Sequence, residues 1–177
     1  MKKTRVATLW LDGCSGCHMS LLDLDERLLE FADKMELVYS PLVDAQDFPE
    51  DVDVTLMEGA VANEEDEKRI LLARSRSTLL VALGDCAVTG NVPAMRNNIA
   101  LDALLGRSYI SLATANPGVP LTEVPRLEPT VIPVHELVKV DVFVPGCPPS
   151  ADLIYTVLCD LFAGRTPDIA ALCHFGN

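Results

Sequence analysis

Short aliphatic runs alternate with helical segments along this chain of 177 residues, and that alternation limits the possible folds more than any other feature. Five runs are predicted to be strands, at residues 6–11, 35–39, 52–57, 78–83 and 141–144. Helical periodicity follows the first run, where apolar residues recur on one face: Leu21, Leu24, Leu28 and Phe31. Strands that alternate with helices form a parallel sheet whose two faces are both covered. The pattern therefore predicts an α/β fold, a doubly wound, flavodoxin-like sheet of five parallel strands in the order 2-1-3-4-5.

The segments between these strands are predicted in more detail. Asn63 can cap a helix whose first turn carries four acidic residues, which meet the positive end of the helix dipole. Further helices are expected at about residues 93–105 and at 152–162, with Gly164 ending the latter. Five prolines lie between Gly106 and Lys139, and so long a connection is uncommon unless it is functional. We expect a long proline-rich loop before the last strand that wraps the domain or faces a partner, with a mobile surface excursion as the alternative.

Composition excludes several classes of protein. The net charge of −12 repels a phosphate backbone, which argues against nucleic-acid binding. No apolar run approaches the roughly 20 residues that span a bilayer, and the first apolar stretch ends at Asp12, too early for a secretory signal. We therefore expect a single domain over residues 1–177, no membrane span and a cytoplasmic location, where thiols stay reduced. Six cysteines in such a compartment indicate a metal or redox site rather than disulfides.

Four of the six cysteines follow the ends of predicted strands. Cys14 comes after the first strand, Cys86 after the fourth and Cys147 after the fifth. Cys17 completes a Cys-x-x-Cys pair with Cys14. Because parallel strands end at one edge of the sheet, three distant segments bring four thiols to one crevice, where they suit zinc or an iron–sulfur cluster. Structural zinc usually takes its ligands in two close pairs and only one pair is present, so we favour a [4Fe–4S] cluster.

Other interpretations of these cysteines stay open. Cys14 and Cys17 with His18 have the spacing of c-type haem attachment, but such attachment normally accompanies export. A thioredoxin-like dithiol explains the same pair and leaves Cys86 and Cys147 without a role. A zinc-stabilised interaction module is a third alternative. We expect His18 to lie at the start of a helix near the site rather than to bind metal.

Three residues outside this set also need an interpretation. Glu58 ends an apolar strand at the same edge, where a carboxylate can relay protons beside a redox centre or simply accept hydrogen bonds from backbone amides of the next loop. Taken by itself, its position favours the structural role. Cys159 lies among apolar residues of the last helix and is expected to be a buried small hydrophobe, and Cys173 has no partner motif.

Four blocks of sequence carry a resemblance to a known family. They are LDGCSGCHMS at residues 11–20, MEGA at 57–60, GDCAVTGNVP at 84–93 and VDVFVPGCPP at 140–149. Together, and in this order, they resemble the small subunit of [NiFe] hydrogenases, most closely the short form of the soluble, NAD(P)-linked enzymes. The related subunit of respiratory complex I has adjacent cysteines in place of the spaced Cys14–Cys17 pair, so the spacing favours the hydrogenases.

The resemblance implies a flavodoxin-like electron-transfer subunit that holds one [4Fe–4S] cluster, next to a Ni–Fe centre in a separate large subunit. The residues that correspond to the cluster ligands are Cys14, Cys17, Cys86 and Cys147, and Glu58 corresponds to a glutamate implicated in proton exit. Electrons from H2 oxidation would pass to diaphorase subunits, with flavin and further iron–sulfur clusters, that reduce NAD(P)+. A ferredoxin- or deazaflavin-linked hydrogenase is the alternative. FMN is compatible with the fold, but no residue specifies it.

Two departures from the family pattern matter. Longer, exported small subunits carry a twin-arginine signal and a C-terminal domain with further clusters; this sequence reaches Asn177 with neither, so a single cluster and a cytoplasmic location are expected. The family's double glycine after the third ligand is Gly90-Asn91 here. Because asparagine tolerates the left-handed conformation, we expect a modest change in loop geometry without loss of the site.

Overall fold

Five parallel strands form the centre of the fold in the computed structural model, which describes residues 2–173. Within that part of the chain, the strands of the main sheet are β1 (Thr4–Trp10), β2 (Met35–Tyr39), β3 (Val52–Glu58), β5 (Ser77–Leu83) and β7 (Val142–Val144). Two short strands, β4 (Val61–Asn63) and β6 (Leu127–Ile132), form a separate sheet. The main sheet has the order β2-β1-β3-β5-β7, and all neighbours are parallel. Counted along the chain this is 2-1-3-4-5, so the predicted fold class and strand order are confirmed.

Helices cover both faces of the main sheet. The helices of the described residues are α1 (Gly16–Leu22), α2 (Glu64–Arg76), α3 (Asp85–Thr89), α4 (Leu101–Gly106), α5 (Ala151–Phe162) and α6 (Ile169–Leu172). Of these, α4 contributes no residue to the core beside the sheet. One face packs Ile70 of α2 against a core that includes Met57 of β3, and the other packs Leu158 of α5 against a core that includes Val81 of β5. Strands covered on both sides need apolar residues at every position, which explains their continuous aliphatic runs. Among the described residues, no helix has the length and apolar character needed to cross a membrane.

The predicted start of α2 is confirmed by its hydrogen bonds. Asn63 Oδ1 accepts from the backbone N–H groups of Glu65 (2.9 Å) and Asp66 (3.0 Å). Asp66 Oδ2 accepts in return from Ala62 N (3.1 Å) and Asn63 Nδ2 (2.7 Å). This reciprocal cap fixes where β4 ends and α2 begins.

The first predicted helix is divided into two pieces. α1 ends at Leu22, and a 3-10 segment, Asp25–Phe31, follows it. Asp25 has a φ of +49°, a left-handed conformation that cannot continue an α-helix, so the chain turns there. Leu24 and Phe31 are nevertheless buried against the sheet. The apolar spacing therefore identified the packing face but not the break.

A single helix at residues 93–105 was a wrong prediction. The structure has a 3-10 segment, Pro93–Asn98, an extended Ile99, and then α4. The side chain of Asn97 pairs with the backbone of Val131 in β6, donating from Nδ2 to the carbonyl and accepting at Oδ1 from the N–H, both at 2.8 Å. These tertiary contacts outweigh local helix propensity and hold the segment in two pieces.

The proline-rich segment is only partly the extended loop that was predicted. Its second half contains β6, which pairs antiparallel with β4 and places Val61 opposite Ile132. Pro129 fits within β6 because a two-stranded sheet consists of edge strands, where a missing N–H is tolerated. Residues 112–126 contain no regular helix or strand.

Candidate metal centre

The four predicted cysteine ligands lie in three segments at the carboxyl edge of the main sheet. Cys14 follows β1, and Cys17 lies in the first turn of α1. Cys86 lies in α3, directly after β5, and Cys147 lies between β7 and α5. Cys14 and Cys147 are exposed, whereas Cys17 and Cys86 are partly buried. The structure thus brings all four to the edge where open α/β sheets place their sites.

The four thiols are close enough to change one another's acidity. Burial raises the pKa of Cys17 to about 12, and the charges of Glu58 and of the other three thiols add to the rise. Burial also raises the pKa of Cys86, with the charges of Cys147 and Cys14 as the next causes. Because four thiolates in one place repel each other, the deprotonated set needs positive charge among its sulfurs.

Gly84 leaves the space that the sulfur of Cys17 occupies. A Cβ atom added to Gly84 would overlap with Cys17 Sγ, and the residue has a φ of +83°. Both the contact and the backbone conformation require glycine here. The absence of a side chain at Gly84 therefore allows the segment after β5 to pack closely against the first turn of α1.

Hydrogen bonds join the three cysteine-bearing segments. Asp85 N donates to the Gly146 carbonyl (2.9 Å), and Gly146 N donates to Asp85 Oδ1 (2.7 Å). Ser20 of α1 donates from Oγ to the Pro149 carbonyl (2.5 Å). Each contact connects two segments that are far apart in sequence. The position of each cysteine therefore depends on hydrogen bonds to the other cysteine-bearing segments.

Glu58 is buried at the end of β3 and accepts a hydrogen bond from a backbone amide, although the donor lies in α1 and not in the loop after β3 that the structural alternative named. Its Oε2 accepts a hydrogen bond from the backbone N–H of His18 (2.7 Å), in the first turn of α1. The same oxygen lies 3.0 Å from His18 Nδ1, which is buried and makes no aligned hydrogen bond. His18 Nε2 lies 2.8 Å from Thr8 Oγ1, which donates to Ser40 Oγ (2.7 Å). Glu58 therefore begins a chain of buried polar groups that passes through His18.

The residues at this edge are compatible with an iron–sulfur cluster. All four donors are thiols, and segments held by their own hydrogen bonds present them. Within residues 2–173, no three His, Cys, Asp or Glu side chains are grouped so that they could hold a metal ion. A four-iron cluster offers each thiolate its own iron, so its ligands lie further apart than those that surround one ion.

Sequence reasoning missed three residues that position the cysteines without contributing a thiol: Ser20, Gly84 and Asp85. Gly84 and Asp85 directly precede Cys86, so their place beside the site could have been noticed in the sequence. The partner of Ser20 is only visible in the tertiary structure. Cys159 packs, partly buried, among apolar residues of α5, and Cys173 is also partly buried.

Comparison with known proteins identifies the family. The model of the family described as "NADH ubiquinone oxidoreductase, 20 Kd subunit" matches residues 14–161. The delta subunit of the NAD-reducing hydrogenase HoxS of Cupriavidus necator is 44% identical over 172 residues, which cover 94% of this chain and 82% of the relative. A subunit of the F420-non-reducing hydrogenase vhu of Methanocaldococcus jannaschii is 40% identical over 93% of this chain, which spans only 58% of that relative.

Solved structures agree with this result. The crystal structure of an NAD+-reducing [NiFe]-hydrogenase in its H2-reduced state contains a chain that superposes with a TM-score of 0.90 at 42% identity, with 99% of this chain and 96% of that chain covered. A [NiFeSe] hydrogenase of Desulfomicrobium baculatum, at 21% identity and a TM-score of 0.60, shares the fold.

The chain therefore belongs to the family of the 20 kDa subunit of NADH:ubiquinone oxidoreductase. Within that family it is a small subunit of the hydrogenase type, and the resemblance identified in the sequence is confirmed.

Proposed function

We propose that this chain is the electron-transfer small subunit of an NAD-reducing [NiFe] hydrogenase and carries one [4Fe–4S] cluster. The main support is the match in fold and sequence to the NAD+-reducing [NiFe]-hydrogenase, which extends over nearly the whole of both chains. The second support is the arrangement of four cysteines at one edge of the sheet. In this proposal the whole chain, residues 1–177, acts as one iron–sulfur domain.

The proposed ligands are Cys14, Cys17, Cys86 and Cys147. When bound, the cluster supplies a one-electron carrier at the edge of the sheet. The chain holds the thiols in place for it: Gly84 leaves room for Cys17 Sγ, and Asp85 holds the segment of Cys147 through its two hydrogen bonds to Gly146. A site assembled from three separated segments relies on a preformed fold, which favours a cluster over the paired ligands typical of structural zinc.

We assign to Glu58 the role of holding and transferring a proton at Oε2. The carboxylate is 2% exposed, and its hydrogen bond from His18 N fixes its direction. His18 Nδ1, 3.0 Å away, is a buried group within reach of that oxygen. A proton relay needs groups that are held at such distances.

The partner that this function requires is a hydrogenase large subunit with the Ni–Fe site. Exposed apolar side chains lie in or beside the cysteine-bearing segments, with 44–71% of their surface accessible: Trp10, Met19, Val92, Met95 and Ile99. A surface with several large apolar side chains is typical of a protein–protein contact. Diaphorase subunits with flavin and further iron–sulfur clusters are the proposed acceptors, and the proposed location of the complex is the cytoplasm.

A second candidate is the small subunit of a hydrogenase with another electron acceptor. The observation in its favour is the 40% identity to the subunit of the F420-non-reducing hydrogenase. The chain spans 58% of that relative but 82% of the HoxS delta subunit, which favours the NAD-reducing type. H2-dependent reduction of NAD+ by the purified complex distinguishes the two candidates.

The test of the cluster assignment is the variant Cys86→Ser. The complex that contains it should have about four irons and four sulfides fewer per copy of this chain than the wild-type complex, since a [4Fe–4S] cluster needs all four cysteines. Cys159→Ser, a change on α5 outside the proposed ligand set, is the matched control and should keep the wild-type iron content.

Three outcomes would contradict this assignment. Full iron content in Cys86→Ser would refute the ligand set. Zinc without sulfide in the wild-type protein would favour the zinc-stabilised interaction module. A colourless protein whose activity depends only on Cys14 and Cys17 would favour a thiol–disulfide oxidoreductase.

A further inference from the structure

The turn that follows α3 presents an amide side chain to Cys147, one of the proposed ligands. Gly90 and Asn91 have φ values of +83° and +33°, so two successive residues adopt left-handed conformations. Two such residues reverse the chain at the end of a helix. The family's second glycine is thus replaced by a residue that keeps the backbone shape and adds a polar group.

That polar group reaches the sulfur of a residue on a different loop. Asn91 Nδ2 donates to Cys147 Sγ across 3.5 Å, although the two residues are 56 positions apart. The amide in the turn after α3 therefore contacts a proposed ligand that follows β7.

The chemistry of a metal-bound thiolate fixes which end of the amide can face it. Such a sulfur carries no proton and can only accept hydrogen bonds, whereas an asparagine has two N–H donors at Nδ2 and an acceptor at Oδ1. The Nδ2 group is therefore the end that faces the sulfur of Cys147. A hydrogen bond to a ligand sulfur draws negative charge away from the cluster and stabilises its reduced state more than its oxidised state.

We propose that Asn91 is a positioning residue that tunes the redox potential of the cluster by donating a hydrogen bond to the sulfur of Cys147. This inference rests on the proposed function, because it requires the cluster that Cys147 helps to hold. Removal of the donor should make the midpoint potential more negative, and replacement of the amide by a carboxylate should lower it further.

The test uses the purified hydrogenase complex and a redox titration followed by EPR. The signal of this cluster is first assigned as the one that disappears in Cys86→Ser. Asn91→Gly removes the amide and accommodates the positive φ, so it should keep the full iron content and titrate at a more negative potential than wild type. Asn91→Asp keeps the shape of the side chain and should shift the potential further in the same direction.

Asn98 supplies matched controls because it is exposed at the end of the 3-10 segment, Pro93–Asn98, that follows Asn91. Asn98→Gly and Asn98→Asp should leave the potential unchanged. An unshifted potential in Asn91→Gly and Asn91→Asp, with the Cys86-dependent signal present, would overturn the role of Asn91 and leave the proposed function intact. A wild-type complex without the Cys86-dependent signal would overturn the proposed function and, with it, the role of Asn91.

Discussion

Gly84 must lack a side chain, because any side chain there would occupy the position of Cys17 Sγ. We expect Gly84→Ala to displace that sulfur and to remove more than half of the iron of the cluster, as measured by iron and sulfide analysis of the complex. The control is Gly106→Ala in α4, where an added Cβ meets nothing within 4 Å. It should keep its iron and gain about 0.5–1 kcal/mol in stability, because alanine loses less entropy in a helix. Full iron in Gly84→Ala would show that Cys17 lies elsewhere in the loaded protein.

Glu58 allows a structural role to be separated from a proton-carrying one. The amide oxygen in Glu58→Gln can still accept from the His18 N–H, so fold and iron content should be unchanged. Because an amide does not take up a proton at neutral pH, H2-dependent dye reduction should fall by roughly 10²–10⁴-fold. The exposed Glu26→Gln is the control and should retain activity. Wild-type activity in Glu58→Gln would contradict the proton-transfer role, and the hydrogen bond from His18 N would then be the function of the carboxylate.

At the scale of elements, the junction of β4 and α2 makes stability depend on pH. Burial raises the pKa of Asp66 from 3.8 to about 6, although backbone hydrogen bonds from Ala62 and Asn63 oppose the rise. A carboxyl whose pKa is higher in the folded chain contributes stability below pH 3.8 that is lost as the pH rises through 6. The wild-type protein should therefore lose stability between pH 4 and pH 7 that Asp66→Asn keeps. The difference in free energy of unfolding between Asp66→Asn and wild type should shift by about 2 kcal/mol in favour of the variant over this range.

Denaturant unfolding at a series of pH values measures this difference. The exposed Asp44→Asn is the control, and its stability should run parallel to that of wild type across the same range. If the stability of Asp66→Asn also changed with pH in the same way as that of wild type, the Asp66 carboxyl would ionise as easily in the folded chain as in the unfolded one.

The elements that could be predicted are those whose residues are determined by burial. The five parallel strands are covered on both faces, so each is a continuous aliphatic run that the sequence displays directly. β6 contains Pro129 and lies at an edge, and it is recognised only when β4 is beside it. The break before α4 likewise depends on Asn97, whose partner Val131 is distant in sequence. Local patterns cannot indicate contacts of this kind.

At the scale of the whole molecule, the exposed apolar residues near the cysteines are expected to form the contact with the large subunit. Met95 is 71% exposed and lies in the 3-10 segment that follows α3. Met95→Asp would place a charge in the contact, so recovery of the large subunit with an affinity-tagged copy of this chain should fall at least tenfold. Leu71→Asp on α2, a helix without cysteines, is the control and should leave recovery unchanged. Equal recovery with both variants would place the contact on another face.

The sequence alone indicated the α/β class, the positions of the five parallel strands and the place of four cysteines after three of them, because hydrophobic periodicity and the position of a residue at a strand end are local properties of the chain. The order of the strands is decided by their pairing in the tertiary structure. Only the tertiary structure decided which groups surround those cysteines: the gap at Gly84, the Asp85–Gly146 pair and the amide of Asn91 facing Cys147. Each of these contacts joins segments far apart in sequence. They exist because parallel strands end at one edge, and their distances follow from packing that no local pattern encodes.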